Sequence, residues 1–450
     1  MPQTLALSTP ELGIQLERPQ HASFRPGDTI AGRVYRTATG VAPEARVMVE
    51  LHGRTKVKLK MRRGDAEYVY RSSFDCLSAP VDNKILLAGT PLHIPEGSQG
   101  ASWPFTITIP AIVADARQPS DRKYYASPAG VDGAWFPPPG TFDYSGSDML
   151  LKRARCSAFI EYYVQARIEL IHQHKGRTKK DIQIATAPFS LENVHAGLPV
   201  TDFSLRPHSM QHAVVAYRLA PGMEELSLGQ KTRQMFSSSK VPKLTFNLTL
   251  HLPHVLQIEN TNFIPLTLIF EPVLGSTSER IYNIPQQITI TSFTMRVKPK
   301  TFVQCQRHSF SKSGNEVVLL QSNAVSALGR EIGVTVNPGS KSGPEAQAAY
   351  LNLGEILNLH FRGGLHPTLS AYNIVRAHEL IWEVEGSVVG EKFKRKGSHS
   401  VTVLPGPSEM PGVGVVQSQT QTQAQGHGEA LPEYSKKVDA PPDYKPDLKG

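Results

Sequence analysis

The sequence predicts an all-β protein with two antiparallel β-sandwich lobes and a disordered C-terminal tail. Apolar and polar residues alternate with a period of two in many segments, which places the apolar side chains on one face of a strand. Few segments keep the i, i+3, i+4, i+7 apolar spacing of a helix, so helix bundles are disfavoured. The 35 glycines and 35 prolines among 450 residues also favour short strands joined by turns.

The first lobe is predicted to span residues 1–193. Apolar residues alternate over 103–109, where Pro110 ends the strand, and again over 158–170. The segment 115–150 is rich in Pro, Gly, Ser and aromatic residues and shows no period. A long loop is therefore predicted within this lobe.

The second lobe is predicted over 241–404, and 194–240 is predicted to connect the two lobes. Its clearest strand covers 244–252, where five apolar side chains alternate with Thr, Asn, Thr and His. The tail, 405–450, has few large aliphatic residues and contains the low-complexity run QSQTQTQAQGHGEA. Such a segment buries too little apolar surface to offset the entropy of ordering, so the tail is predicted to be disordered.

Charge and composition limit the classes of function. The formal charge of +9 could indicate a nucleic-acid partner, but the tail has four Lys against six Asp or Glu, so the basic excess lies in the lobes. The first residues, MPQTLALSTPELGIQL, lack the pattern of a signal peptide, and no apolar run is long enough to span a membrane. Three widely spaced cysteines fit a reducing cytosol. We therefore expect a cytoplasmic protein that does not bind nucleic acid.

One segment of the first lobe is strongly basic at alternate positions. The five cations are Arg54, Lys56, Lys58, Lys60 and Arg62. Their spacing predicts that all five share one face of a strand. Such a face could hold anionic lipid headgroups or phosphate groups by charge attraction. The alternative is an ordinary solvated face whose charges prevent edge-to-edge aggregation.

The tail contains a motif of the kind that WW domains bind. Pro441, Pro442 and Tyr444 fit the pattern PPxY. Proline favours a preformed polyproline II helix, and tyrosine adds an amphipathic anchor for an aromatic-lined groove. The motif therefore predicts a WW-domain ligand.

A weaker variant of the same motif lies upstream. Leu431, Pro432 and Tyr434 form an LPxY sequence. Its tyrosine lies ten residues before Tyr444, a distance of at most about 35 Å in an extended chain. Tandem WW domains could bind both motifs and gain avidity.

Signatures of enzymes and metal sites are missing from the sequence. We find no G-x-S-x-G, no Walker A loop, no complete G-x-G-x-x-G and no H-E-x-x-H. His172 and His174 would share a strand face, and His208 and His212 would share a helix face, but neither pair has a third ligand at a telling spacing. We expect no catalytic residue, metal or cofactor. A β-sandwich hydrolase with converging carboxylates is the alternative.

Five segments, taken together, carry a resemblance to a known family. They are residues 24–34 (FRPGDTIAGRV), 103–110 (WPFTITIP), 159–170, 242–253 (PKLTFNLTLHLP) and 373–386 (NIVRAHELIWEVEG). They resemble the arrestin fold, specifically the fungal α-arrestins, or arrestin-related trafficking adaptors. Asn373, Arg376, His378 and Leu380 fall as in that family. In the first segment, 26–28 form a turn, and Gly32 allows a close backbone approach.

The resemblance implies two immunoglobulin-like sandwiches and an adaptor function. Such adaptors recruit HECT-type ubiquitin ligases through WW domains that bind PPxY motifs, while the lobes bind cytosolic segments of membrane transporters or receptors. Cargo ubiquitylation then promotes endocytosis. The resemblance also implies ubiquitin attached to lysines of the first lobe, and peripheral recruitment to the plasma membrane or endosomes. The alternative is a signalling or sorting scaffold, for example in ambient-pH signalling, with no obligatory role in cargo ubiquitylation.

Overall fold

The computed structural model confirms the predicted all-β class. It describes residues 3–18, 23–77, 81–115, 117–118, 120–130, 135–147, 154–174, 177–192, 198–223, 241–339 and 346–407. The strands form four sheets that pair mostly in the antiparallel sense. Two short pairs, one in each half of the chain, are parallel.

Two sheets are built from the first half of the chain. Their strands are β1 (Gly13–Leu16), β2 (Ser23–Phe24), β3 (Thr29–Arg36), β4 (Gly40–Arg63), β5 (Ala66–Asp75), β6 (Val81–Ile94), β7 (Ala101–Thr108), β8 (Phe142–Ser147), β9 (Ala154–His174) and β10 (Arg177–Leu191). The smaller sheet has the order β1-β3-β7. The larger has the order β2-β10-β9-β4-β5, with β6 also pairing with β4 and β8 with β9.

The other two sheets are built from the second half. Their strands are β11 (Arg206–Val215), β12 (Lys243–Leu252), β13 (Val255–Gln257), β14 (Thr267–Pro272), β15 (Gln286–Cys305), β16 (His308–Ser313), β17 (Val317–Leu320), β18 (Ile332–Val336), β19 (Ala349–Asn352), β20 (Leu369–Ser370), β21 (Ile374–Val388) and β22 (Glu391–Leu404). One sheet has the order β11-β12-β14-β19. The other has the order β13-β22-β21-β15-β16, with β17 and β18 pairing with β15 and β20 with β21.

Helices are few and short in the part of the chain that the structure describes. They are the α-helix α1 (Leu353–Ile356) and 3-10 helices at Tyr217–Leu219, Leu274–Ser276, Glu279–Ile281 and Ser326–Leu328. Asn352 caps α1, because its side chain accepts a hydrogen bond from the Glu355 amide.

Gly27 and Gly32 have the local roles expected from the sequence. Gly27 adopts a φ of 92°, which an L side chain rarely adopts, in the turn before β3. A Cβ atom on Gly32 would lie 2.5 Å from the carbonyl oxygen of Gln15 on β1. Any larger residue would therefore push β1 and β3 apart.

Buried apolar side chains form two clusters, one for each pair of sheets. The first cluster contains residues of β3, β4, β7 and β9, including Val47, Leu59 and Val164. It also contains Val303 and Ile374, which lie on strands of the second half. The second cluster is centred on β12, β15 and β21. The first core is therefore completed by residues that come late in the chain.

Two segments that were predicted as a loop and a connector each include a strand among their described residues. The predicted loop 115–150 includes β8, which pairs with β9 from Phe142 to Ser147. The predicted connector 194–240 includes β11, which pairs with β12 over its whole length. The alternation in β11 is hard to recognise in the sequence, because histidines occupy inward positions. Since β11 is a strand, His208 and His212 share a strand face and not the predicted helix face.

Candidate functional site

The strand β4 places the five predicted cations on one face of the larger sheet in the first half. Thr55, Val57 and Leu59, which alternate with the cations, are fully buried in the first core. The cations therefore lie on the opposite, outer face of the sheet. Two neighbouring strands, β5 and β9, flank them on either side.

Arg54 and Lys56 are held by Glu161 on β9. Arg54 Nε lies 2.6 Å and Lys56 Nζ lies 3.1 Å from Glu161 Oε1. Thr4 donates its backbone N–H and its hydroxyl to the same carboxylate at 2.6 and 2.9 Å. Burial opposes ionisation of Glu161, but these hydrogen bonds outweigh it and lower its pKa. These two cations are thus engaged within the protein and covered by the N-terminal segment.

Lys60 and Arg62 are also paired with acids, at the end of the β4–β5 hairpin. Lys60 Nζ lies 2.7 Å from Glu67 Oε1, and Arg62 Nη2 lies 3.8 Å from Asp65 Oδ1. Both pairs are exposed, so each contributes little to stability. An external anion could therefore replace the acid as the partner of either cation. Within the described residues, Lys58 is the one predicted cation without an acidic partner at ion-pair distance.

Two further cations that the sequence did not single out lie beside Lys58 on the same face. Arg71 lies directly opposite Lys58 on β5, and Arg155 lies diagonally across from it on β9. Both side chains are exposed. The hydrogen bond and the charge of Lys60, and then the charges of Arg155 and Lys58, lower the pKa of Glu67. We call Lys58, Arg71 and Arg155 the basic surface.

One of the two missed cations could have been found from the sequence. The hairpin turn at Gly64 and Asp65 leaves Arg63 opposite Ala66, and counting back along both strands puts Arg71 opposite Lys58. Arg155 comes next to the basic strand only through the pairing of β4 with β9, which begins nearly 100 residues further along the chain. No local signal reports this pairing.

The basic surface can attract anions but offers no enclosed site. Its three cations come from three adjacent strands, so they form a patch of positive charge on an open face. Attraction at such a face acts over about 10 Å at moderate ionic strength and is screened by salt. It suits an extended anionic partner, such as a membrane surface or a phosphorylated segment, better than a small molecule.

The two motifs that are predicted to bind WW domains lie outside the described residues. These are Pro441, Pro442 and Tyr444 in one motif and Leu431, Pro432 and Tyr434 in the other. Within the described ranges, no three side chains of His, Cys, Asp or Glu come together in a way that could hold a metal ion. The same part of the chain contains no helix long and apolar enough to cross a membrane.

Comparison with known proteins adds no family assignment. No protein-family model matches the chain, and no curated protein matches it.

Proposed function

We propose that the protein is a non-enzymatic adaptor of the α-arrestin type, which links membrane cargo to a WW-domain ubiquitin ligase. The observation that carries the proposal is the sequence Pro441-Pro442-Asp443-Tyr444 in a tail that follows a β-sheet scaffold. The scaffold supplies large sheet faces for docking, and the tail supplies a ligand for the ligase. The resemblance of five sequence segments to α-arrestins supports this division of labour.

Ligase recruitment depends on the polyproline conformation of the motif. Pro441 and Pro442 limit the backbone before binding, so little entropy is lost when an aromatic groove closes around them. Tyr444 fills the adjacent pocket with its ring and keeps its hydroxyl in water. We expect each motif alone to bind with a Kd of roughly 1 to 10 μM, or about 7 to 8 kcal/mol.

Cargo binding is the role we assign to the two pairs of sheets. Cytosolic segments of transporters or receptors dock there, the ligase transfers ubiquitin to the cargo or to lysines of the adaptor, and endocytosis follows. The basic surface supports this role, because the cytosolic leaflet near such cargo carries anionic lipids. Each cation near that leaflet contributes about 1 kcal/mol to membrane attraction.

The proposal is tested by capturing the full-length protein on immobilised WW domains of a HECT-type ligase. Wild type is compared with Tyr444→Ala and with the Tyr434→Ala, Tyr444→Ala double variant. We expect strong loss of capture in Tyr444→Ala and complete loss in the double variant. Tyr350→Ala is the matched control, because Tyr350 is an exposed tyrosine of the scaffold. Unchanged capture of the double variant, or no capture of wild type, would overturn the proposal.

A further inference from the structure

Polar side chains interrupt both inward-facing rows where the two apolar cores meet. On β21, Ile374 belongs to the first core and Leu380 to the second, and Arg376 and His378 lie between them on the same face. On β15, Thr301 lies directly opposite Arg376 in the sheet. The junction between the cores is therefore polar, although both strands continue through it.

Among the described residues, no acidic side chain forms an ion pair with Arg376 at this junction. Arg376 Nη1 donates a hydrogen bond to Thr301 Oγ1 at 2.6 Å, while its buried Nε has no partner among the described residues. Burial lowers the pKa of Arg376, and the one group that raises it is the phenol of Tyr144. An arginine stays protonated even so, and a partly buried cation that lacks an anion is costly.

Four further polar residues near Arg376 in the described part of the chain are neutral or positive. Tyr144 on β8 has a buried hydroxyl that lacks a partner in the described part of the chain, and burial raises its pKa to about 12, so it stays a donor. Lys312 lies opposite Thr301 on β16. His366 and His378 both have lowered pKa values, first through burial and then through the charge of Arg376. We call these five residues, with Thr301, the junction site.

The chemistry of the junction site matches an oxyanion. A guanidinium can donate two parallel hydrogen bonds to a carboxylate or phosphate, and a tyrosine hydroxyl can donate a third. His378 is held by Thr368, which lies 3.1 Å from its Nδ1, while its buried Nε2 has no partner in the described ranges. Arg376 as a whole is half-buried, so part of its side chain is open to solvent.

We propose that the junction site binds a small oxyanion, of the phosphate or carboxylate class, between the two cores. The anion supplies a negative charge opposite Arg376, which the described residues do not supply. It accepts hydrogen bonds from side chains of both halves of the chain. Its binding energy therefore stabilises the junction. The proposal is independent of the tail motifs and of ligase recruitment.

The test is calorimetric titration of the full-length protein with inorganic phosphate and, separately, with acetate at constant ionic strength. The two ligands distinguish a phosphate site from a carboxylate site. We expect Arg376→Gln to weaken binding of the preferred ion by roughly ten- to a hundredfold, because a charged hydrogen bond is lost. Tyr144→Phe should weaken it by roughly two- to tenfold. Arg71→Gln is the matched control on the basic surface and should bind as wild type does.

A second readout keeps the test independent of folding defects. In NMR titrations of wild type, the bound anion should raise the pKa of His366 and His378, since a nearby negative charge stabilises the imidazolium. If neither phosphate nor acetate bound to wild type, the proposal would be overturned. It would equally be overturned if Arg376→Gln bound like wild type, or if Arg71→Gln lost as much affinity as Arg376→Gln, which would indicate surface attraction alone.

Discussion

Glu161 stabilises the first half by neutralising two cations that β4 brings under the N-terminal segment. We expect Glu161→Gln to lower the free energy of unfolding by about 2 to 4 kcal/mol, because the buried Lys56 and the half-buried Arg54 then lose the carboxylate that balances their charges. Chemical denaturation of wild type and variant measures this loss.

Glu67→Gln is the control for Glu161→Gln, because its ion pair with Lys60 is exposed. It should leave the free energy of unfolding close to the wild-type value. Since hydrogen bonds lower the pKa of Glu161, its contribution is complete above the unfolded value of about 4.3 and is lost as the pH falls below it. Equal effects of the two substitutions would contradict the role given to Glu161.

At the scale of elements, β11 is an edge strand whose inward histidines face β22. His212 packs against Phe246 and Phe393, and the His208 ring lies against the His399 ring, tilted by 32°, with ring centroids 4.7 Å apart. Burial and then the nearby Arg395 lower the pKa of His212 to about 4. Burial also lowers the pKa of His208 and of His399. The attachment of β11 therefore depends on neutral imidazoles.

This arrangement predicts that the free energy of unfolding decreases as the pH is lowered in mildly acidic solution. Between pH 6.5 and about 4, the unfolded chain binds a proton at His212 and the folded chain does not. The free energy of unfolding should fall by up to about 1.4 kcal/mol per pH unit from this residue alone as pH decreases. Denaturant titrations at several pH values should show a smaller slope for His212→Gln. The exposed His93→Gln should keep the wild-type slope, and an unchanged slope in His212→Gln would refute the prediction.

The basic surface is also a property of adjacent elements, because it needs β4, β5 and β9 in register. The double variant Arg71→Gln, Arg155→Gln should weaken binding to vesicles that contain phosphatidylserine, by about 2 kcal/mol at low salt. Cosedimentation at increasing salt measures the effect, which should shrink as charges are screened. Arg330→Gln, an exposed arginine of the second half, serves as the control. Equal binding by the double variant and wild type would show that this face does not meet membranes.

At the scale of the whole molecule, the two halves share the first core and should unfold together. Trp103 reports on the first half and Trp382 on the second. In single-tryptophan variants, the two fluorescence transitions should have the same midpoint in denaturant. Ile374→Ala should lower both midpoints together, with a loss of about 2 to 5 kcal/mol, because it opens a cavity in the first core from a strand of the second half. Separate midpoints would contradict this coupling.

The sequence predicts local features well and long-range partners poorly. The alternating pattern over 244–252 predicts a strand with one buried face. The structure agrees, because the five leucine and phenylalanine side chains of that face are all fully buried. The common face of the basic strand follows from the same period of two. The partner of Arg54 and Lys56 could not be predicted, since Glu161 lies over 100 residues away. The polar junction was equally hidden, because Arg376 becomes unusual only once both cores are known.

The pairing of β15 with β21 has a mechanical consequence. Their register is continuous from Ile288 opposite Val388 to Val303 opposite Ile374, apart from one bulge near Ser292. The paired strands β15 and β21 of this sheet therefore run through both cores. A force applied along these two strands would stretch many of their hydrogen bonds in shear at the same time. Tension on one half of the molecule would therefore be transmitted to the other half.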